Sequence, residues 1–325
     1  MTGNVFKTGW IGMLTLTLLL TACGQSNSSD NNASGANGSM EGKKEITVGV
    51  AMPTLRHQFY IDMNNGVIKA AKENGVKLIT NDPNLEINKQ VSGIEDFIEK
   101  KVDAMIVVGT DSQAIVPAIE EAKSKGIAII TADLVINSEK VDTFIGTENY
   151  KAGLELGNYL KKAIESSGQP AKIGIVTRVQ SLIQQERVKG FKEALKGVQG
   201  VTILNEQPGY QREDSLSVVE NMIQANSDLK YVYATAEGSV LGALAALQSI
   251  NNQNIKIVGF DVTKEAADGI KKGQILGMIQ QQPELIGELA LKAAMDMLSG
   301  KEVDKKIDSP VILMDKNNVV QYFKD

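Results

Sequence analysis

The chain is poor in the side chains that do most covalent and metal chemistry. Among its 325 residues there is one histidine, one cysteine and one tryptophan, and aromatics make up only 5%. A zinc site built from His and Cys needs several such ligands, and a Cys–His nucleophile pair needs both residues in one place; the counts argue against both. Cys23 has no partner within the chain for a disulfide. No loop carries the acidic spacing of an EF-hand. There is no Gly-rich phosphate loop, no nucleophile elbow and no histidine positioned for base catalysis, so the residues do not read as an enzyme, and no cofactor is expected. The net charge is −5 with no basic block, which argues against a nucleic-acid partner.

What is present begins with an address. Lys7 precedes an apolar run from Trp10 to Leu20, interrupted only by Gly12, Thr15 and Thr17. That run is too short to span a membrane and suits a signal-peptide core. It ends in Leu20-Thr21-Ala22-Cys23-Gly24, which resembles the bacterial lipobox, in which the cysteine is lipidated and becomes the new N-terminus. An ordinary signal peptide ending near a cysteine is the alternative. Residues 24–44 are rich in Ser, Asn and Gly, a composition that cannot bury enough surface to fold and reads as a tether. These signals predict a signal peptide over 1–22, a lipidated Cys23 with linker to residue 44, and a folded body on the extracytoplasmic face of the membrane.

The body alternates strand and helix. Strands are predicted near 44–51, 76–80, 104–108, 128–132 and 143–146, with helices at 59–74, 87–100 and 112–125 between them. The pattern then restarts. Helices at 150–166, 183–195, 213–225, 239–249 and 264–272 alternate with strands at 172–176, 201–204, 231–234, 256–260 and 276–279. A helix at 283–298 and a strand at 311–314 close the chain. Such alternation implies an α/β fold of parallel sheets with right-handed crossovers, here as two lobes in tandem.

Two strands end on a carboxylate: Ala128-Ile129-Ile130-Thr131-Ala132-Asp133 and Lys256-Ile257-Val258-Gly259-Phe260-Asp261, the second with a helix expected to start at once. An unpaired carboxylate is poor core material, and open parallel sheets bind ligands outside the carboxyl ends of their strands. Asp133 and Asp261 are therefore candidates to face one cleft from two sides. As helix caps or turn residues they would need no ligand. Arg187 lies four residues before Phe191 on the inner edge of a helix. Its fork of donors suits vicinal hydroxyls, while a salt bridge to a neighbouring acid is the alternative.

Two α/β lobes behind a lipobox and tether resemble the substrate-binding lipoproteins of bacterial ABC importers, specifically the ribose-binding-like sugar group. Five motifs carry the resemblance: Gly66 with Ala70-Ala71 on the first helix; Gly190-Phe191 after Arg187; Leu241-Gly242-Ala243-Leu244-Ala245-Ala246-Leu247; Val258-Gly259-Phe260-Asp261; and Gln281 with Pro283. The resemblance spans residues 45–325. It implies two Rossmann-like lobes of the type I periplasmic binding proteins, joined by a three-segment hinge: residues 45–147 with 282–313, and 148–281 with 314–325. It further implies a monomer that closes on a sugar and hands it to a membrane permease.

By the same resemblance, Asp133, Asp261, Arg187 and Gln281 match polar ligand contacts. Phe59 and Tyr60 match the aromatic pair that sandwiches a sugar ring, and Tyr210 aligns less directly with a third aromatic. Core packing for Phe59 or Tyr60, and a solvated hinge for Gln280-Gln281-Gln282, stay open. Departures touch specificity. His57 stands where ribose binders have Asn, Leu134 where they have Arg, and Ala236, followed by Glu237, where they have Asn. Ribose itself is thereby in doubt. A lactose-repressor-type regulator would share the two-lobe core but needs an N-terminal helix-turn-helix. A receptor that reports a ligand, such as a furanosyl signal molecule, to a membrane sensor is a second reading of the same scaffold.

Overall fold

The computed structural model describes residues 45–324. The apolar run, Cys23 and the tether lie outside the described residues. The first half runs β1 (Thr47–Ala51), α1 (Gln58–Asn74), β2 (Lys77–Asn81), α2 (Ile87–Glu99), β3 (Ala104–Val107), α3 (Val116–Ser124), β4 (Ala128–Ala132) and β5 (Thr143–Thr147). The second runs α4 (Asn149–Ser167), β6 (Ala171–Thr177), α5 (Leu182–Leu195), β7 (Val201–Pro208), α6 (Arg212–Ala225), β8 (Leu229–Ala234), α7 (Glu237–Ser249), β9 (Lys256–Phe260), α8 (Lys264–Lys271) and β10 (Ile275–Gln280). Then come α9 (Pro283–Leu298), β11 (Lys306–Ser309), β12 (Ile312–Asp315) and α10 (Val319–Tyr322). Among the described residues no helix is long and apolar enough to cross a membrane.

Two six-stranded sheets result, in the orders β11-β5-β4-β3-β1-β2 and β12-β10-β9-β8-β6-β7. Every pairing is parallel except that of β10 with β12. Each sheet with its helices is one lobe, and the chain passes between lobes three times. It crosses between Thr147 and Asn149, between Gln280 and Pro283, and between Ser309 and Ile312. The third passage falls ahead of Leu313, because Ile312 already pairs with Gln280 in the second sheet.

The strands are apolar because helices cover both faces of each sheet. All five residues of β4 and all four of β3 are buried. In α1, Met63, Val67 and Ala71 form the buried stripe, and Gly75 at φ 65° ends the helix with its N–H donated to the Ala71 carbonyl. Complete burial of Met63 and Val67 contributes roughly 1.5–3 kcal/mol for each side chain.

Beyond the short closing helix α10, which the sequence did not announce, three elements depart from the sequence expectation. Helix α3 starts at Val116, not Ser112, because Asp111 Oδ1 accepts the backbone N–H groups of Gln113 and Ala114 at 2.8 Å and holds them in a turn. Strand β7 runs four residues past Leu204, through a polar stretch at the open sheet edge. Strand β11, Lys-Ile-Asp-Ser, is the opposite kind of surprise: a short polar edge strand with no apolar run to announce it.

The lobes share a packing device. Helix α4 leaves the first passage and packs on α5; helix α9 leaves the second and packs on α1. In each pair the backbones touch through reciprocal glycines. A Cβ on Gly153 would lie 2.0 Å from the Arg187 carbonyl oxygen, and one on Gly190 would lie 2.0 Å from that of Tyr150. In the first lobe, a Cβ on Gly66 would lie 1.9 Å from the Glu284 carbonyl oxygen, and one on Gly287 would lie 2.0 Å from that of Met63. Only glycine permits so close an approach.

Candidate functional site

Asp133 and Asp261 leave their strands in the same unusual way. Both have left-handed backbone, φ 61° and φ 66°. Each donates its N–H to the next strand, Asp133 to the Ile145 carbonyl at 3.0 Å and Asp261 to the Ile279 carbonyl at 2.8 Å. Asp tolerates this region better than most residues, yet two matched instances at two strand ends are the kind of strain that collects at functional sites. Neither is a helix cap. No helix follows Asp133 before β5, and α8 is capped two residues after Asp261 by Thr263, whose hydroxyl accepts the Ala266 N–H at 3.2 Å. The helix expected over 264–272 is α8, which begins three residues after Asp261.

Arg187, on the first turns of α5, is buried. Its Nε donates to Asn149 Oδ1 at 2.9 Å and its Nη1 to the Thr235 carbonyl at 2.9 Å. Nη1 also stands 3.7 Å from Asp261 Oδ2, and the guanidinium lies over the Phe260 ring at 4.2 Å. The salt-bridge alternative and the cleft position thus coexist: the partner acid is Asp261 itself. Gln281 is buried at the second passage and donates from Nε2 to Asp261 Oδ1 at 2.9 Å. Gln280 accepts the Val262 N–H on Oε1 at 2.7 Å, fixing the turn after Asp261. Gln282 donates to the Pro310 carbonyl at 2.9 Å, tying the second passage to the third. All three glutamines are hydrogen-bonded, Gln281 buried and Gln280 and Gln282 partly exposed.

From the first lobe, the Tyr60 hydroxyl faces Asp133 Oδ2 at 3.4 Å. Phe59 packs edge-on to Tyr60, ring centroids 5.5 Å apart, and leans on the core of its own lobe. His57 is exposed, 5.7 Å from the Tyr60 ring. Burial pushes the Asp133 carboxyl up to about 6; Asp261 adds to the rise, while Arg187, the Tyr60 hydroxyl and His57 oppose it. Burial, then the charge of Asp133 and the presence of Tyr210, pushes the Tyr60 phenol well above its ordinary range. Burial also raises Glu237, with His57 opposing and Asp261 adding. These mutual influences bring Tyr60, Asp133 and His57 of the first lobe within electrostatic reach of Arg187, Tyr210, Glu237 and Asp261 of the second.

Tyr210 is 38% exposed, with the Arg178 guanidinium 5.3 Å from its ring centroid, so it sits at the rim. Ala236 is buried and extended just ahead of α7, and Glu237 is the first residue of that helix. Leu134 follows Asp133 and is half-buried. Sequence reasoning missed Asn149, Thr235 and Gln280 as parts of this network. Asn149 could be read only as a helix-start residue; Thr235 acts through a backbone carbonyl, which no side chain reveals. Among the described residues, no group of three or more His, Cys, Asp or Glu could hold a metal ion.

Convergent acceptors with one buried guanidinium and flanking aromatics are the chemistry that suits a small ligand rich in hydroxyl donors. Comparison with known proteins gives the same direction. The ribose import binding protein of Bacillus subtilis is 36% identical over 304 residues, covering 93% of this chain and 96% of that protein. The D-ribose/D-allose-binding protein of Pseudomonas aeruginosa is 26% identical over 284 residues, covering 82% and 88%. An ABC transporter solute binding protein from Agrobacterium vitis, bound with alpha-D-tagatopyranose, superposes with a TM-score of 0.74 at 26% identity, covering 86% of this chain and 99% of that one. The model of the periplasmic binding protein domain matches residues 48–302, and with two parallel-sheet lobes joined by a three-strand hinge this chain belongs to that family.

Proposed function

We propose that the chain is an extracytoplasmic solute-binding lipoprotein that captures a small neutral sugar or polyol between its lobes and delivers it to the permease of an ABC importer. The observation that carries the ligand class is the matched pair Asp133 and Asp261, one from each lobe, with Arg187 beside the second. Ionised carboxylates accept short, charge-assisted bonds from hydroxyls, so a polyhydroxylated ligand supplies what the cleft requires. A phosphate or carboxylate brought into the same space would meet Asp133, Asp261 and Glu237 against one arginine, and like charges repel strongly away from water. The relatives' ribose, allose and tagatose ligands fall in the neutral class. Leu134 and Ala236 remove two polar side chains that the resemblance places in ribose binders, so the ligand differs from ribose or ribose binds weakly.

Calorimetric titration of processed protein against ribose, other neutral sugars, polyols and sugar phosphates tests this. Binding of a neutral sugar or polyol, with ribose weak and phosphates inert, is the expected result. Tight binding of a sugar phosphate overturns the charge argument. The lobe division expected at 45–147 with 282–313 and 148–281 with 314–325 is best cut ahead of Ile312 when variants are designed, since Ile312 and Leu313 pair with β10. The anchor rests on Leu20 to Cys23 and has its own test: Cys23→Ser should yield soluble or unprocessed protein, and normal processing with membrane retention would refute lipidation. Loss of radiolabelled sugar uptake on deletion separates import from sensing.

A further inference from the structure

We propose that Asn149 is a positioning residue that ties Arg187 in the cleft to the hinge, so that ligand capture and lobe closure are mechanically linked; this rests on the reading that Arg187 meets the ligand. Asn149 is the first residue of α4, directly after the first passage. Its Oδ1 accepts from Arg187 Nε at 2.9 Å, and its Nδ2 donates to the Thr147 carbonyl at 3.1 Å. The amide orientation is fixed by its partners. Flipping it would set Nδ2 against a guanidinium N–H and Oδ1 against a carbonyl, two contacts between like groups. One side chain therefore bridges the second lobe's buried cation and the last residue of a first-lobe strand.

Thr147 is well placed to transmit that link. It ends β5 and is in register with Ser309, which ends β11, so two of the three passages leave the first sheet at this one pair. On the other side, Arg187 has little freedom to compensate. Its backbone is held against α4 at Gly153, where no Cβ would fit, and its Nη1 is engaged by the Thr235 carbonyl. If Nε lost its acceptor, a buried charged donor would be left unmatched in the cleft, beside Asp261 at 3.7 Å from Nη1. A change at residue 149 should thus alter the cleft without touching the ligand.

Asn149→Ala and Asn149→Asp separate the two bonds. Alanine removes both; aspartate keeps an acceptor for Arg187 but loses the donor to Thr147. Two readouts need no ligand. The chain has four arginines, at 56, 178, 187 and 212, so the Nε–H resonance of Arg187 can be assigned by its loss in Arg187→Lys. It should exchange slowly in the parent and in Asn149→Asp, and quickly in Asn149→Ala. Small-angle scattering of ligand-free protein should shift toward longer pair distances in both variants. A third arm titrates D-ribose, D-allose and D-tagatose by calorimetry. For any of these that binds the parent, affinity should fall about tenfold or more in Asn149→Ala. Unchanged Nε–H exchange in Asn149→Ala, or scattering curves identical to the parent in both variants, would overturn the assignment. Failure of all three sugars to bind the parent counts against the proposed ligand class, while exchange and scattering still decide the role of Asn149.

Discussion

Asp133 titrates near 6, against an ordinary value of 3.8, chiefly through burial. A carboxyl raised in this way takes up its proton more readily in the folded than in the unfolded chain. Its contribution to stability therefore grows as pH falls from 6 toward 4. Ligand binding should run the other way, since the ionised form is the stronger acceptor. Between pH 7 and 5 the thermal midpoint contribution of this residue should rise while affinity falls, and Asp133→Asn should flatten both profiles. Calorimetry and thermal denaturation across that range check it; parallel slopes would refute the assignment. Backbone strain sharpens the conflict. At φ 61° glycine suits the backbone and removes the buried carboxyl, so Asp133→Gly should melt no lower than the parent while binding at least tenfold more weakly. The strand-end acids were legible because a carboxylate closing an apolar run has few structural uses. Asn149 was not, because its partner Arg187 is 38 positions away and meets it only across a helix pair.

Helix α1 and its partner α9, like α4 and α5, depend on glycines where no Cβ fits in place, Gly66, Gly153, Gly190 and Gly287 against carbonyl oxygens at about 2 Å and Gly157 against Ala194. Gly66→Ala, Gly153→Ala, Gly190→Ala and Gly287→Ala should each destabilise by about 1–3 kcal/mol, since the helices must part to admit a methyl group. Gly75→Ala tests the contrast: its Cβ would meet nothing within 4 Å, and only the left-handed backbone, about 1–2 kcal/mol, opposes it. Urea denaturation distinguishes the two kinds. A further difference is expected in function, because Gly153 and Gly190 hold Arg187 whereas Gly75 lies far along α1 from Tyr60. Helices with a clear apolar stripe and a glycine stop could be placed from sequence to within a residue or two. The start of α3 could not, because a local Asp111 turn competed with the helix. Strand β11 could not either, since its residues are polar and its place is set by the neighbouring β5.

At the scale of the molecule, the lone tryptophan gives a direct check on processing. Trp10 precedes Cys23, so protein cleaved before Cys23 should show tyrosine emission only, and tryptophan emission would show that cleavage had not occurred there. Architecture was legible because strand and helix alternate twice; the exchange of segments between lobes came only with the family resemblance, and the pairing of Ile312 with Gln280 sets the third passage ahead of the expected Leu313. That exchange predicts the effect of truncation. A chain ending at Gln282 lacks α9 and β11 from the first lobe and β12 from the second. It would uncover the Met63 and Val67 stripe on α1, and should show no cooperative unfolding transition by circular dichroism.

The three passages also set an order in time. The first lobe's strands β1 to β5 are made early, but the helix that covers α1 and the strand beside β5 are made only after all of β6 to β10. The half of the protein synthesised first must therefore wait, unfinished, for nearly the last of it. Contacts so distant along the chain are slow to form. The first lobe should therefore gain its stability late: fragments that stop short of residue 309 leave it open, and the step that closes it is the arrival of α9 and β11.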